Sequence, residues 1–284
     1  MGVDIFLFLS AIGLCKSMGK NNTVIFYLHR FNRVLLPFLM IAIPFFVWLD
    51  LLYLKDGIGQ LFLNVTTINY WLTGNHPTWY IAFILIMYLL FPLLYQWDRK
   101  TGHISTICLI FFSIVAEFVM YKAGCYLYNT SERALSRIPV FLIGLLTAPL
   151  ALSNRRIPLW QVLMCFFGGV FLFSIISLHP PFIVFLRYMY CPIGVAIIIC
   201  YTFLRQHIEL NWLWDFLGWI GTFSLELYVV HVLLIRVLNV TNSWALVDPF
   251  LWWLFIPLVS LPIALLLHYS TKKILKLIHK SNGK

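Results

Sequence analysis

In the stretch GTFSLELYVVHVLL, residues 221–234, a hydroxyl, a phenol and an imidazole recur at Ser224, Tyr228 and His231. The spacing is i, i+4, i+7. At about 100° per residue it sets all three on one face of a helix and leaves Glu226 pointing elsewhere. These side chains donate and accept protons and hydrogen bonds, and they stand on an otherwise apolar background. A stripe of this kind faces protein rather than lipid. It serves either a reactive site or a seam of hydrogen bonds between helices, and spacing alone leaves both open. A second set lies in FYLHRFNRVLLP, residues 26–37, where Arg30 and Arg33 follow His29 at i, i+3 just ahead of an apolar run. Two guanidiniums on one face bind phosphate groups bidentately, although basic anchoring at a membrane surface accounts for the same residues. A third set is His76, Trp79 and Tyr80 at the start of NHPTWYIAFILIMYLLFPLLY, residues 75–95. It suits either interfacial anchoring or contact with a substrate.

The elements that must position these groups are membrane spans. The chain of 284 residues is 62% hydrophobic and 11% charged, with a mean hydropathy of +0.90. Its apolar residues gather in nine runs, at roughly 2–15, 34–54, 78–97, 103–121, 136–152, 159–178, 184–204, 215–238 and 249–270. Most approach the ~20 residues a helix needs to cross a ~30 Å hydrocarbon core. The runs are continuous rather than alternating, which predicts an all-α polytopic bundle of about nine transmembrane helices and excludes a barrel. Within these runs the ionisable side chains are few. Asp4, Asp50 and Glu117 lie toward outer ends, and Glu226 and His231 lie inside the eighth run. Each is costly in lipid and is expected to face a cavity or a partner.

The net charge of +10 does not signify nucleic acid, because the basic residues are sorted by gap. Fourteen of the 20 Lys and Arg fall in alternate gaps and the C-terminal tail, among them Lys16, Lys20, Arg30, Arg33, Arg155, Arg156, Lys272 and Lys284. The positive-inside rule puts that set, and the C-terminus, in the cytoplasm, and so predicts a multi-pass protein of the cell membrane. Nine spans with this orientation place residue 1 outside, directly on a span, and predict one further helix upstream. No cleavable signal peptide pattern, linker or low-complexity stretch is present. The six cysteines show no CxxC and no histidine at ligand spacing, so they read as packing residues rather than metal ligands, and no metal is expected.

Taken in order, the segments resemble the membrane acyltransferase 3 family. GVDIFLFLSAIGL at the start is similar to that family's second helix, RFNRVLLP to its R-x-x-R-x-x-P stretch, WYIAFILIMYLLFPLLY to its W-Y-x…Y-x-x-x-P helix, and SLELYVVH to its late S-x-x-x-Y-x-x-H helix. The matches span residues 2 to 234, with Ala11 where the family usually has glycine, a substitution still small enough for close helix packing. The resemblance implies a ten-helix fold and a single acyltransferase domain. It also implies transfer of an acyl group, acetyl by default, from acyl-CoA to a hydroxyl of a surface or exported glycan or lipid-linked sugar.

On that resemblance, acyl-CoA is a co-substrate rather than a bound cofactor, and Arg30 and Arg33 hold its phosphates at the cytoplasmic face. Ser224, Tyr228 and His231 supply oxyanion donors or orient the acceptor. Asp4 pairs with a cation or orients a catalytic imidazole, and Trp79 and Tyr80 form a stacking platform for sugar. The family's essential histidine belongs to its first helix, which precedes the one matched here, so no residue of this sequence takes up that role. A start upstream of residue 1 would restore it; otherwise the chain is an inactive relative. A transporter or flippase of lipid-linked sugars is the rival from another class. It calls for internal repeats, and no convincing repeat relates the two halves.

Overall fold

The computed structural model describes residues 2–19, 22–74, 77–153, 158–178, 188, 190–243 and 249–282. His76, Lys20, Arg155, Arg156 and Lys284 lie outside these, as do residues 184–187 of the seventh apolar run. Among the described residues there is no strand. The helices are α1 (Gly2–Met18), α2 (Thr23–Arg30), α3 (Leu36–Phe46), α4 (Ile58–Val65), α5 (Ile68–Thr73), α6 (Trp79–Thr101), α7 (Ile104–Lys122), α8 (Tyr126–Leu135), α9 (Ile138–Ala151), α10 (Leu159–Leu178), α11 (Tyr190–His207), α12 (Asn211–Thr222), α13 (Ser224–Val240) and α14 (Pro249–Asn282).

Five helical runs are long and apolar enough to cross a membrane: Thr23–Tyr53, Trp79–Thr101, Ile104–Lys122, Tyr126–Ala151 and Leu254–Leu277. A sixth is made by α12 and α13, which are bent by 60° at the break between them. Five to six is therefore the number the described residues support, against an expected nine. The first apolar run is α1, whose 17 residues fall short of a full crossing, and the seventh is only partly described.

The run Thr23–Tyr53 differs from its sequence reading. The polar segment ahead of Leu36 is helix, not loop, and is continuous with the span. Continuity is kept through two prolines by widening the helix. Pro37 has no amide hydrogen and its ring crowds the carbonyl one turn earlier. The chain ahead of it takes a π-helical course over Phe31–Leu35, with Leu36 N–H reaching back to Phe31 O. A second π-helical stretch, Val47–Tyr53, follows Pro44. Wide turns of this kind mark places where the regular ladder is interrupted.

The chain clusters into two compact units. The first comprises Met1–Phe26 and Phe83–Asn211. Here α1 packs on α9 and α11, α7 on α8 and α9, and α10 on α11. A Cβ placed on Gly144 of α9 would stand 2.7 Å from Phe8 O and 2.8 Å from Ala11 Cβ, so only glycine allows this approach. Phe91 stacks on Phe26 and meets Phe141 edge-on, at centroid distances of 5.8 and 6.0 Å. The turn between α6 and α7 uses Gly102 (φ +58°) and His103 (φ +75°). Buried Asp98 fastens that turn by accepting from His103 Nδ1 and Thr106 Oγ1. Helix α7 buries Thr106 and Glu117 while exposing Ile107, Phe111, Phe112 and Val119. That inverts a soluble helix and fits one facing lipid.

The second unit comprises Tyr27–Ala82 and Trp212–Lys284. Helices α13 and α14 pack on each other and on α3, which also meets α4. The centre of this packing is Phe223, Val230, Ala264 and Leu267, flanked by Met40 and Ile41 of α3 and by Ile220, Leu227 and Leu265. All of the residues singled out for chemistry except Asp4 belong to this unit.

Candidate active site

The polar stripe of α13 is resolved into three separate duties. Ser224 begins the helix and donates its hydroxyl to Gly221 O at 3.0 Å, closing the turn at the break. Tyr228 is buried, and its ring meets Tyr80 edge-on at 5.0 Å between centroids. His231, half-buried, stands one turn further on, with its ring 5.4 Å from that of Tyr228. Trp79 adjoins Tyr80 at 6.3 Å. Four residues chosen from two distant stretches of sequence thus form one row, Trp79–Tyr80–Tyr228–His231.

The tautomer of His231 follows from its partner. Nδ1 lies 3.1 Å from Leu227 O, one helical turn back. A carbonyl oxygen only accepts, so Nδ1 carries the hydrogen, and in the neutral ring Nε2 keeps its lone pair. The imidazole is thereby oriented to accept a hydrogen bond or a proton at Nε2, beside the phenol of Tyr228.

Arg30 closes α2 and Arg33 lies in the π-helical turn that follows. Arg33 is exposed and Arg30 is half-buried. Both are therefore held on a continuous helix leading into the span rather than on a flexible loop, a placement suited to a phosphate group at the membrane surface.

Asp4 belongs to the first unit, where it meets Arg137. Arg137 Nε lies 3.1 Å from Asp4 Oδ1, with both residues buried. Arg137 is one of the six basic residues that fall outside the set of fourteen given to the cytoplasm; its place two residues ahead of Pro139, at the start of an apolar run, was the available sign that it stands at the N-terminus of a helix inside protein.

Three further polar constellations escaped the sequence. His268 of α14 is buried at 8% exposure and holds Glu226 of α13, Nδ1 to Oε1, at 2.8 Å. The sign was a histidine in LLLHYSTKK, between leucines and lysines at the end of the last apolar run. In the same unit, buried Asp50 accepts from Asn64 Nδ2 at 2.8 Å, and Asn64 Oδ1 accepts from Asn69 Nδ2 at 2.7 Å. In the first unit Glu117 accepts from the Tyr188 hydroxyl. Each intramembrane carboxylate foreseen in the sequence thus has a partner, as its cost in lipid requires.

A family model described as an acyltransferase domain matches residues 1–269. No curated protein and no solved structure matches the chain.

Proposed function

The chain belongs to the acyltransferase 3 family, and we propose that this integral membrane acyltransferase moves an acyl group, acetyl first among them, from acyl-CoA to a hydroxyl of a surface or exported glycan. The observation that carries this reading is the row Trp79–Tyr80–Tyr228–His231, in which an imidazole tied through Nδ1 to its own helix stands at the end of a line of aromatic rings. Aromatic faces suit a sugar, and the imidazole orients its hydroxyl. The amides at the start of α13 are oxyanion donors of the kind acyl transfer requires. Arg30 and Arg33 hold the phosphates of the donor at the membrane surface, where their charge and their position ahead of the span suit CoA. The basic tail of α14 supports a cytoplasmic C-terminus and a place in the cell membrane. Asp4 serves as the ion-pair partner that fixes α1 against Arg137.

The test is acyl transfer itself. Proteoliposomes bearing the protein would be given radiolabelled acetyl-CoA and polysaccharide prepared from the envelope of the producing cells. Label recovered in base-labile ester on the polysaccharide is the expected result. Acetyl-CoA binding with no transfer would mark an inactive relative. The 60° break between α12 and α13 is a feature also found in transporters. Movement of a lipid-linked sugar across the bilayer without acyl transfer would favour that second reading.

A further inference from the structure

The buried pair Glu226–His268 plays no part in the function proposed above, although it has the form of a base. Glu226 sits in the first turn of α13 and His268 lies 42 positions along the chain, on α14. The contact fixes one tautomer. Nδ1–H points to the carboxylate, and the opposite nitrogen, Nε2, is left to accept. Nε2 is buried and has no hydrogen-bond partner among the described residues. A buried acceptor left unsatisfied costs about 1–3 kcal/mol, so its persistence calls for a reason.

The surroundings supply one. His268 lies beside the break in the α12–α13 pair, for the ring of Phe223, the residue at that break, is 6.1 Å away. In membrane proteins, interrupted helices are tolerated where they line a site. The first backbone bond carried into α13 is Leu227 N–H to Phe223 O at 2.9 Å. The amides of Ser224, Leu225 and Glu226 therefore belong to the helix N-terminus, where backbone donors have no acceptor within the helix. Helix N-terminal amides and an oriented imidazole thus both belong to the neighbourhood of Phe223. Helix α14 also meets α3 close by: Thr271 donates its hydroxyl to Met40 Sδ at 3.5 Å, and Arg33 precedes Met40 by roughly 10 Å along the helix axis.

We propose that His268 is a catalytic base of acyl transfer and Glu226 its positioning residue. This rests on the acyltransferase function proposed above. In the step, His268 Nε2 takes the proton of the acceptor hydroxyl as its oxygen bonds to the thioester carbonyl carbon. The tetrahedral oxyanion is met by the amides at the start of α13. It collapses with cleavage of the C–S bond, and the departing CoA thiolate receives the proton from the His268 imidazolium. Products are the ester and free CoA thiol, with no other reactant. Glu226 accepts from Nδ1–H and holds the ring, the carboxyl–imidazole logic known from hydrolytic triads.

Initial rates with acetyl-CoA and envelope polysaccharide would be compared for wild type, His268→Gln, Glu226→Gln, Glu226→Asp and His231→Gln. CoA binding to each would be measured separately. His268→Gln is expected to lower kcat by about 10²–10⁴ while KM for acetyl-CoA stays unchanged. Glu226→Gln should lower kcat less, and Glu226→Asp should recover a large part of the rate. A His268→Gln protein that binds CoA and turns over within about threefold of wild type overturns the assignment. So does loss of CoA binding in both His268→Gln and Glu226→Gln, which would make the pair a structural tie. Collapse of kcat in His231→Gln alone moves the base to the aromatic row. A wild type that binds acetyl-CoA and transfers nothing overturns the acyltransferase function itself, and the dyad's role with it.

Discussion

Gly144→Ala adds one methyl group where α9 crosses α1. The new Cβ would stand 2.7 Å from Phe8 O, 2.8 Å from Ala11 Cβ and 3.2 Å from Phe8 Cα. Carbon contacts settle at about 3.5–4.0 Å, so relief requires the two helices to part by roughly 0.7–1 Å. Two of the three obstructing atoms are backbone and cannot rotate away. A gap of that size forfeits about a quarter to a half of each dispersion contact along the interface. It also stretches the Asp4–Arg137 pair, now at 3.1 Å, toward the limit of a direct contact. Overpacking of this kind costs about 1–3 kcal/mol. Unfolding would be followed by tryptophan fluorescence during denaturant titration in mild detergent micelles. Gly168→Ala serves as the control, since nothing lies within 4 Å of a Cβ at Gly168 on α10. That substitution should be neutral or stabilising by up to about 1 kcal/mol. If Gly144→Ala proves as stable as Gly168→Ala, the close crossing of α1 and α9 is refuted.

Asp4→Asn should destabilise by about 3–5 kcal/mol, because it strands the buried Arg137 charge, while the double change Asp4→Asn with Arg137→Gln should cost clearly less than the two singles added; simple additivity would deny the pairing. Replacing Arg30 and Arg33 together by Gln should raise KM for acetyl-CoA with little change in kcat, read from initial rates at fixed ionic strength; an unchanged KM removes them from the donor site. Asn64→Ala leaves buried Asp50 without its 2.8 Å donor and should cost about 1–3 kcal/mol in the same denaturation assay; no loss of stability would show the network to be slack.

Much of this arrangement was legible in the sequence, and for a physical reason. Lipid demands continuous apolar runs, so the spans at Trp79–Thr101 and Ile104–Lys122 could be placed by composition alone. Helical periodicity set Tyr228 and His231 on one face, and they are neighbours in the structure. The meeting of Tyr80 with Tyr228 was not legible, since nothing local in either segment points to the other. Pairing across the fold was what stayed hidden. Arg137 looked like a topology marker until Asp4 was found against it, and Glu226 had only been known to face away from the stripe. His268 sits 42 residues further on, where a histidine before lysines reads as the end of a span. The break at Phe223 was missed because GWIGT ahead of it is apolar enough to continue the run, although its two glycines weaken the helix there. The helical course of residues 23–35 was missed because polar segments between spans read as loops.

Helix α14 has one more consequence. At 1.5 Å per residue its 34 residues measure about 51 Å, against a hydrocarbon core of about 30 Å. The excess is expected to emerge at the C-terminal end, where Lys272, Lys273 and Lys276 would meet headgroups from one side of the helix. The helix therefore works as a plumb line. His268 lies one turn inward from Lys272, so its depth is gauged from that single surface. A thicker or thinner bilayer is taken up by tilt and at the far end, where Pro257 and Pro262 let the rod flex. A helix anchored at one end is expected to hold its buried imidazole at a set depth from that surface as bilayer thickness varies.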